Sequence, residues 1–329
     1  MRTRSSPSPA EWELARHLYS AGALCCTASR GQVHLGGLAS GGWGVALALD
    51  AFAERIGVVA VHTRLTNAAR RYASQHSAEL LGRGLFTGAE GRALVSDAST
   101  KMALMGGNRT VLNWGVPGDL MDGPPGIAWA RFCVGFPGAR MPEQLLVATK
   151  PGLAHGQLVS RALPDGAFAA IGQHSEQHAA ELTACRRTPG WCNGLAGVAV
   201  AFSTPALLAG DSDARTEVEA SVTSLLACDL TEVGDLGLCH GLLGVAVVLA
   251  GAGRLYSWTE CTVQADRILD AVVDRLESAE PSDWQTNLTW LTGAAGILWG
   301  FGAVARRPRV NPLFPLDSIV VATTHSTII

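Results

Sequence analysis

Two short segments of the chain, GWCNG (190–194) and GLCHG (237–241), each place a cysteine two residues ahead of a glycine, and the second adds a histidine beside its cysteine. Two thiolates and an imidazole suit a borderline-soft, tetrahedral Zn²⁺. Three protein ligands leave a fourth position open for water or substrate, which is the arrangement of a catalytic rather than a structural site. Cys192 and Cys239 are 47 residues apart, so Cys192, Cys239 and His240 form such a set only if the fold carries equivalent positions of separate segments to one point. Taken singly, a cysteine in Gly-rich apolar sequence is a buried, inert hydrophobe. Its recurrence at the same place in a repeated motif argues against that reading here. A cysteine at a helix start is also expected to have a depressed thiol pKa, which helps form the thiolate.

The two segments are copies of a pattern that runs almost end to end. Gly-x-x-Gly, or a near copy, recurs as GLASGGWG, GLFTGAEG, DLMDGPPG, GLAHGQLV, GWCNGLAG, GLCHGLLG and TWLTGAAG, with leading glycines at 41, 88, 123, 156, 194, 241 and 293. The fourth copy keeps only Gly156, with Val159 in place of the second glycine. Self-similarity of this period marks stacked supersecondary units. Position −1 from the leading glycine holds Ser40, Thr87, Asp122, His155, Asn193, His240 and Thr292.

Each motif precedes an apolar stretch rich in helix formers, such as GVAVAFSTPALL from Gly197, GVAVVLAGAGRLY from Gly244 and GILWGFGAVARR from Gly296. Short valine runs fit a buried strand, but the long regular spacing without hairpin signals favours helices. More polar helical stretches lie between them, for example EVEASVTSLLACDL from Glu217. Helices apolar on most faces belong inside and amphipathic ones outside. The expected fold is all-α: an α/α toroid, a double-ring barrel of seven helix-pair repeats with the glycine motifs at the inner helices. The glycines would permit close backbone approach or left-handed turns at the helix starts. An open solenoid is the structural alternative, but it needs polar caps, and Trp43, Trp290 and Trp299 near the terminal repeats do not look like caps. The expected organisation is an N-terminal segment (1–30), partly flexible or a first outer helix, one toroid domain (31–318) and a C-terminal tail (319–329).

Composition narrows the function. The chain of 329 residues is 48% hydrophobic and 16% charged with 38 glycines, the profile of a large buried core. A net charge of −3 and no basic cluster interleaved with aromatics argue against a nucleic-acid partner. No run of 18 apolar residues offers a membrane span, and the N-terminus lacks the apolar core of a signal peptide. A cytoplasmic location is expected, with the eight cysteines as thiols or metal ligands rather than bridges. Cys25, Cys26, Cys133, Cys185, Cys228 and Cys261 lack the motif context and read as spectators.

The segments DLMDG (119–123), GLAHG (152–156), GWCNG (190–194) and GLCHG (237–241) together resemble the signature of the lanthionine synthetase C-like cyclases, which close thioether rings in lanthipeptides. The resemblance implies a seven-fold α/α toroid with one zinc ion held by Cys192, Cys239 and His240. The family's histidine falls on His155, its aspartate on Asp119 and its arginine on Arg187, with Asp122 and Arg186 as the competing positions. Asn193 stands where many members have Tyr or His. The implied activity is Michael-type addition of peptide Cys thiolates to dehydroalanine or dehydrobutyrine, with His155 managing the proton and an aspartate orienting it. The implied partners are a dehydrated precursor peptide and a separate dehydratase, with a peripheral membrane-associated complex also open. Two other readings use the same residues: a zinc enzyme that adds glutathione or another small thiol to dehydrated residues, and a non-catalytic peptide-binding toroid.

Overall fold

The structure, a computed structural model, describes residues 7–25, 38, 42–57, 63, 67, 151–154, 158–160, 188–191, 194–208, 210–279, 287–308 and 310–317. Its helices are α1 (Pro9–Cys25), α2 (Gly42–Ile56), α3 (Leu195–Leu208), α4 (Ser212–Ala227), α5 (Leu242–Tyr256), α6 (Thr259–Ser278) and α7 (Ala294–Ala305). A short antiparallel hairpin, β1 (Pro151–Ala154) and β2 (Leu158–Ser160), lies between α2 and α3 in the chain.

The helices fall into two kinds. Along α5, every residue from Leu242 to Gly253 is buried, and α7 buries nearly all of its length, including Ile297, Leu298, Trp299 and Phe301. α6 buries only Cys261, Ala265, Ile268, Leu269, Val272, Val273 and Leu276, one stripe at the three- and four-residue spacing of an amphipathic helix. α4 behaves in the same way through Ala214, Val218, Ser221, Val222 and Leu225, and the Asp211 side chain caps its start by accepting from the Asp213 and Ala214 N–H groups.

The buried helices neighbour one another in the order α3, α5, α7, α2, and the amphipathic helices α4 and α6 lie against α3 and α5 respectively. α1 packs on both α2 and α7. It begins at Ser8-Pro9-Ala10-Glu11, where the Ser8 N–H donates to Glu11 Oε2 at 2.8 Å and the Glu11 N–H to Ser8 Oγ at 3.3 Å, a capping box. The other oxygen of the buried Glu11 carboxylate pairs with Arg55 at the end of α2, so a single side chain both caps α1 and ties it to its neighbour.

The contact of α7 with α2 joins the last motif to the first. A Cβ on Gly44 would lie 2.5 Å from Trp290 Cβ, at the starts of the two helices. At their far ends, Arg306 Nη1 donates to the Glu54 carbonyl at 3.3 Å. α2 and α7 are therefore parallel and in step. α5 and α7 run in the same sense, with Leu243 beside Gly300 and, further along both helices, Arg254 Nη1 donating to the Val304 carbonyl at 3.5 Å. Trp43, Trp290 and Trp299 are at most 1% exposed, as side chains between repeats should be.

Residues 311–317 lock the far ends. The buried Asp317 carboxylate accepts from Arg254 Nε at 3.0 Å and Arg254 Nη2 at 2.6 Å, from Asn311 Nδ2 at 3.1 Å, and pairs with Arg307 at 3.3 Å. Trp191 Nε1 donates to the Leu313 carbonyl at 2.9 Å, so this segment also reaches the fifth motif.

Of the two reasons open for the motif glycines, the described ones show close approach: among the described residues the positive-φ glycines are Gly57 and Gly210, and Gly241 and Gly293 are extended. A Cβ on Gly241 would meet the Asp235 carbonyl at 2.6 Å and one on Gly194 the Thr188 carbonyl at 2.5 Å. Within this helical fold, the described residues of the fourth motif, 152–154 and 158–159, belong to the short β1–β2 hairpin. This is the copy that lacks the second glycine; Val159 there favours extended backbone.

Candidate metal centre

The fifth, sixth and seventh motifs fold back on themselves in the same way. The N–H of the residue after the leading glycine donates to the carbonyl seven residues earlier: Leu195 to Thr188 at 2.8 Å, Leu242 to Asp235 at 2.9 Å and Ala294 to Asn287 at 2.8 Å. A side chain at this earlier position tightens two of the loops, since Asp235 Oδ1 accepts from the Gly237 N–H at 2.7 Å and Asn287 Oδ1 from the Thr289 N–H at 3.1 Å. The sequence reading missed these two residues, although Asp and Asn at the same offset from the glycine, with their preference for such turns, were the available signal.

Adjacent motifs are stitched together by backbone. The Trp191 N–H donates to the Cys239 carbonyl at 2.9 Å, and the equivalent Leu238 N–H donates to the Leu291 carbonyl at 2.8 Å. Position −3 of one repeat thus binds position −2 of the next, twice in succession. Gly190 and Gly237, both at −4, make the same close approach: their added Cβ atoms would fall 3.4 Å from His240 Cα and 3.0 Å from Thr292 Cα. Motif positions that are equivalent in sequence are therefore equivalent in space, and the fifth, sixth and seventh motifs share one end of the helix array.

At the centre of this row sit Cys239 and His240. Cys239 is buried, His240 is exposed, and Cys239 Sγ lies 3.9 Å from His240 Nε2. Bonds of about 2.3 Å to sulfur and about 2.0 Å to nitrogen at a tetrahedral angle put two ligand atoms about 3.5 Å apart, so the pair fits a shared Zn²⁺ with a shift of a few tenths of an ångström. No group of three or more His, Cys, Asp or Glu gathers among the described residues. Cys192 lies outside the described residues, as do Asp119, Asp122, His155, Arg186, Arg187 and Asn193. Trp191, one residue before Cys192, is bound directly to the Cys239 carbonyl.

The cysteines read as spectators differ in setting. Cys261 is buried on the inner stripe of α6, and desolvation, with a smaller contribution from the Glu260 carboxylate, pushes its thiol up to about 11. Desolvation also raises the Cys228 thiol. Both are held as neutral thiols at ordinary pH, away from thiolate chemistry.

A helical array whose glycine motifs line up at one end, with a thiol and an imidazole spaced for one metal ion, defines a repeat-built protein with a candidate metal centre. The profile of the lanthionine synthetase C-like protein family matches residues 173–307, which include the fifth to seventh motifs, and the chain resembles that family. Its fold is similar to that of nisin cyclase, with a TM-score of 0.67 at 15% sequence identity over 94% of this chain and 99% of that one. No curated protein sequence matches the chain significantly. Among the described residues no helix is long and apolar enough to cross a membrane.

Proposed function

We propose that the chain is a zinc-dependent cyclase that forms lanthionine and methyllanthionine thioethers in a dehydrated precursor peptide. The observation that carries this reading is the Cys239–His240 pair, spaced for one metal ion and tied through the Trp191 N–H to the motif containing Cys192. The fold likeness to nisin cyclase supports it. The architecture that goes with it is a closed α/α toroid of seven repeats over 31–318, with 1–30 contributing an outer helix and 319–329 a tail. The parallel packing of α7 on α2, last repeat on first, supports closure.

In this reading Cys192, Cys239 and His240 hold one Zn²⁺. A zinc ion held there would supply Lewis acidity, lowering the pKa of a peptide cysteine far below its free value of about 8.5 so that it would react as thiolate. As the sulfur–Cβ bond forms, the π electrons of the dehydro residue move onto its carbonyl as an enolate. His155 delivers a proton to the α-carbon, its imidazole oriented by Asp119. Arg187, always charged, offsets the negative charge of the enolate. The protein works in the cytoplasm beside a separate dehydratase that supplies the unsaturated residues.

Metal content tests the site. Purified under reducing conditions, the chain should carry close to one zinc by elemental mass spectrometry, and Cys239→Ala should lose most of it. Full retention of zinc by the variant would remove Cys239 from the ligand set, and a wild-type chain that binds no zinc after reconstitution would reject the mechanism.

A further inference from the structure

The seventh motif presents a side chain to which the zinc reading gives no work. Thr292 holds position −1, the place of His240 in the preceding repeat, and like His240 it is exposed. The two are neighbours across the ladder: the Leu291 carbonyl, adjacent to Thr292, accepts from both the Leu238 N–H at 2.8 Å and the Cys239 N–H at 3.0 Å. Thr292 therefore stands beside the candidate metal ligands, one repeat further on.

Its hydroxyl is held in a defined state by Asn287 and Thr289. Asn287 Oδ1 accepts from the Thr289 N–H at 3.1 Å, which fixes the orientation of the amide, and also accepts the Thr289 hydroxyl proton at 2.8 Å. Thr289 has no second hydroxyl proton, so in its 3.0 Å contact with Thr292 Oγ1 the donor must be Thr292. Asn287 Nδ2 donates to Thr292 Oγ1 at 3.2 Å and to the Thr292 carbonyl at 3.2 Å. A hydroxyl has one proton and two lone pairs. The proton of Thr292 is committed and one lone pair is taken, which leaves one lone pair open on this exposed residue and no donor.

A fixed acceptor beside a thiolate site selects a donor that travels with the sulfur. The nearest donor on a peptide is the backbone N–H of the cysteine itself. We infer that Thr292 is a positioning residue that accepts a hydrogen bond from the backbone N–H of the substrate cysteine, and so sets the direction from which its sulfur meets the metal ligands. This inference rests on the zinc reading of the site.

The test uses Co²⁺-loaded protein and two probes, an acetylated, amidated tripeptide with a central cysteine and its N-methylcysteine counterpart. Binding is followed by the thiolate-to-cobalt charge-transfer band. The wild-type protein should prefer the N–H peptide, and Thr292→Val should bind that peptide about five-fold more weakly, the equivalent of one neutral hydrogen bond. Thr292→Val should also lose its share of the discrimination between the two probes, and Thr292→Ser should restore it. The steric cost of the methyl group cancels within the four-way comparison. Normal cobalt uptake with the same discrimination in Thr292→Val and wild type overturns the inference alone. Loss of cobalt from Thr292→Val makes the residue structural and overturns it too. A wild-type protein that takes up no cobalt overturns the zinc reading and the inference with it.

Discussion

Replacing Gly44 by alanine tests the junction of the first and last repeats. The added methyl would collide with the Leu38 carbonyl and lie 2.5 Å from Trp290 Cβ. Carbon atoms in contact sit about 3.5–4.0 Å apart, so something must move by more than an ångström. Neither obstacle is the free end of a side chain: one is backbone, the other a Cβ fixed to its own backbone, and Trp290 is fully buried. Gly44→Ala should therefore fall at the upper end of overpacking costs, about 3 kcal/mol. With an unfolding entropy of about 0.7 kcal/mol/K for a chain of this length, that lowers Tm by about 4 °C. Gly302→Ala, in the interior of α7, is the control, because among the described residues its methyl meets nothing closer than Ala51 Cβ at 3.9 Å. Replacing a helical glycine in open space should gain about 0.5–1 kcal/mol and raise Tm by about 1 °C. Differential scanning calorimetry on the two variants gives the answer. A Gly44→Ala protein that melts within a degree of wild type would refute the packing of Gly44 against Trp290.

Asp317→Ala should cost about 3 kcal/mol, since it strands Arg254 and Arg307 around a fully buried site; urea unfolding measures this, and a loss under 1 kcal/mol would show that the C-terminal segment does not lock the helix ends. Cys261 carries a pH dependence. Its folded pKa of about 11 stands above the usual thiol value, so the folded state holds the proton more tightly and stability is lost as pH rises from about 9 toward 11. Cys261→Ala should flatten the fall of the urea midpoint over that window, and an identical slope in both proteins would count against a desolvated thiol at that position.

The helix content was legible because apolar stretches such as GVAVVLAGAGRLY have no polar face to turn to water, whereas α6 shows its stripe directly in the spacing of Cys261, Ala265, Ile268 and Val272. The helix starts were placed about two residues late. α3, α5 and α7 begin at Leu195, Leu242 and Ala294, immediately after the leading glycine, because the bond from that residue to the carbonyl seven back, rather than the second glycine, ends the loop. The mode of action of the glycines was less legible, since both a left-handed turn and a close approach select glycine and only backbone coordinates separate them. The fourth motif kept the letters GLAHG but not the second glycine, and a motif defined by five residues cannot say that the backbone there runs into a hairpin. For the site, the pairing of Cys239 with His240 followed from residue type and adjacency. The loop-tightening roles of Asp235 and Asn287 were overlooked, because they stand six residues ahead of the glycine, beyond the five-residue segments in which the motif was read.

The arrangement of the motif separates what holds it from what it presents. Folding back is carried by main-chain groups at positions −6 and +1, lateral stitching by the −3 N–H and the −2 carbonyl, and close packing by the two glycines. None of these requires a particular side chain at −2 or −1. Those two positions are Leu291 and Thr292 in one repeat and Cys239 and His240 in the one before, on the same backbone frame. Metal-ligating residues can therefore occupy one repeat, and a hydrogen-bonding hydroxyl the next, without rebuilding the loop that carries either. The frame also sets a limit on the chemistry: a ligand set assembled this way must come from neighbouring repeats. Cys192, at −2 of the fifth motif and one residue after the Trp191 that bonds the Cys239 carbonyl, comes from such a neighbouring repeat, whereas Cys228 and Cys261, outside the motifs with thiols raised by desolvation, do not.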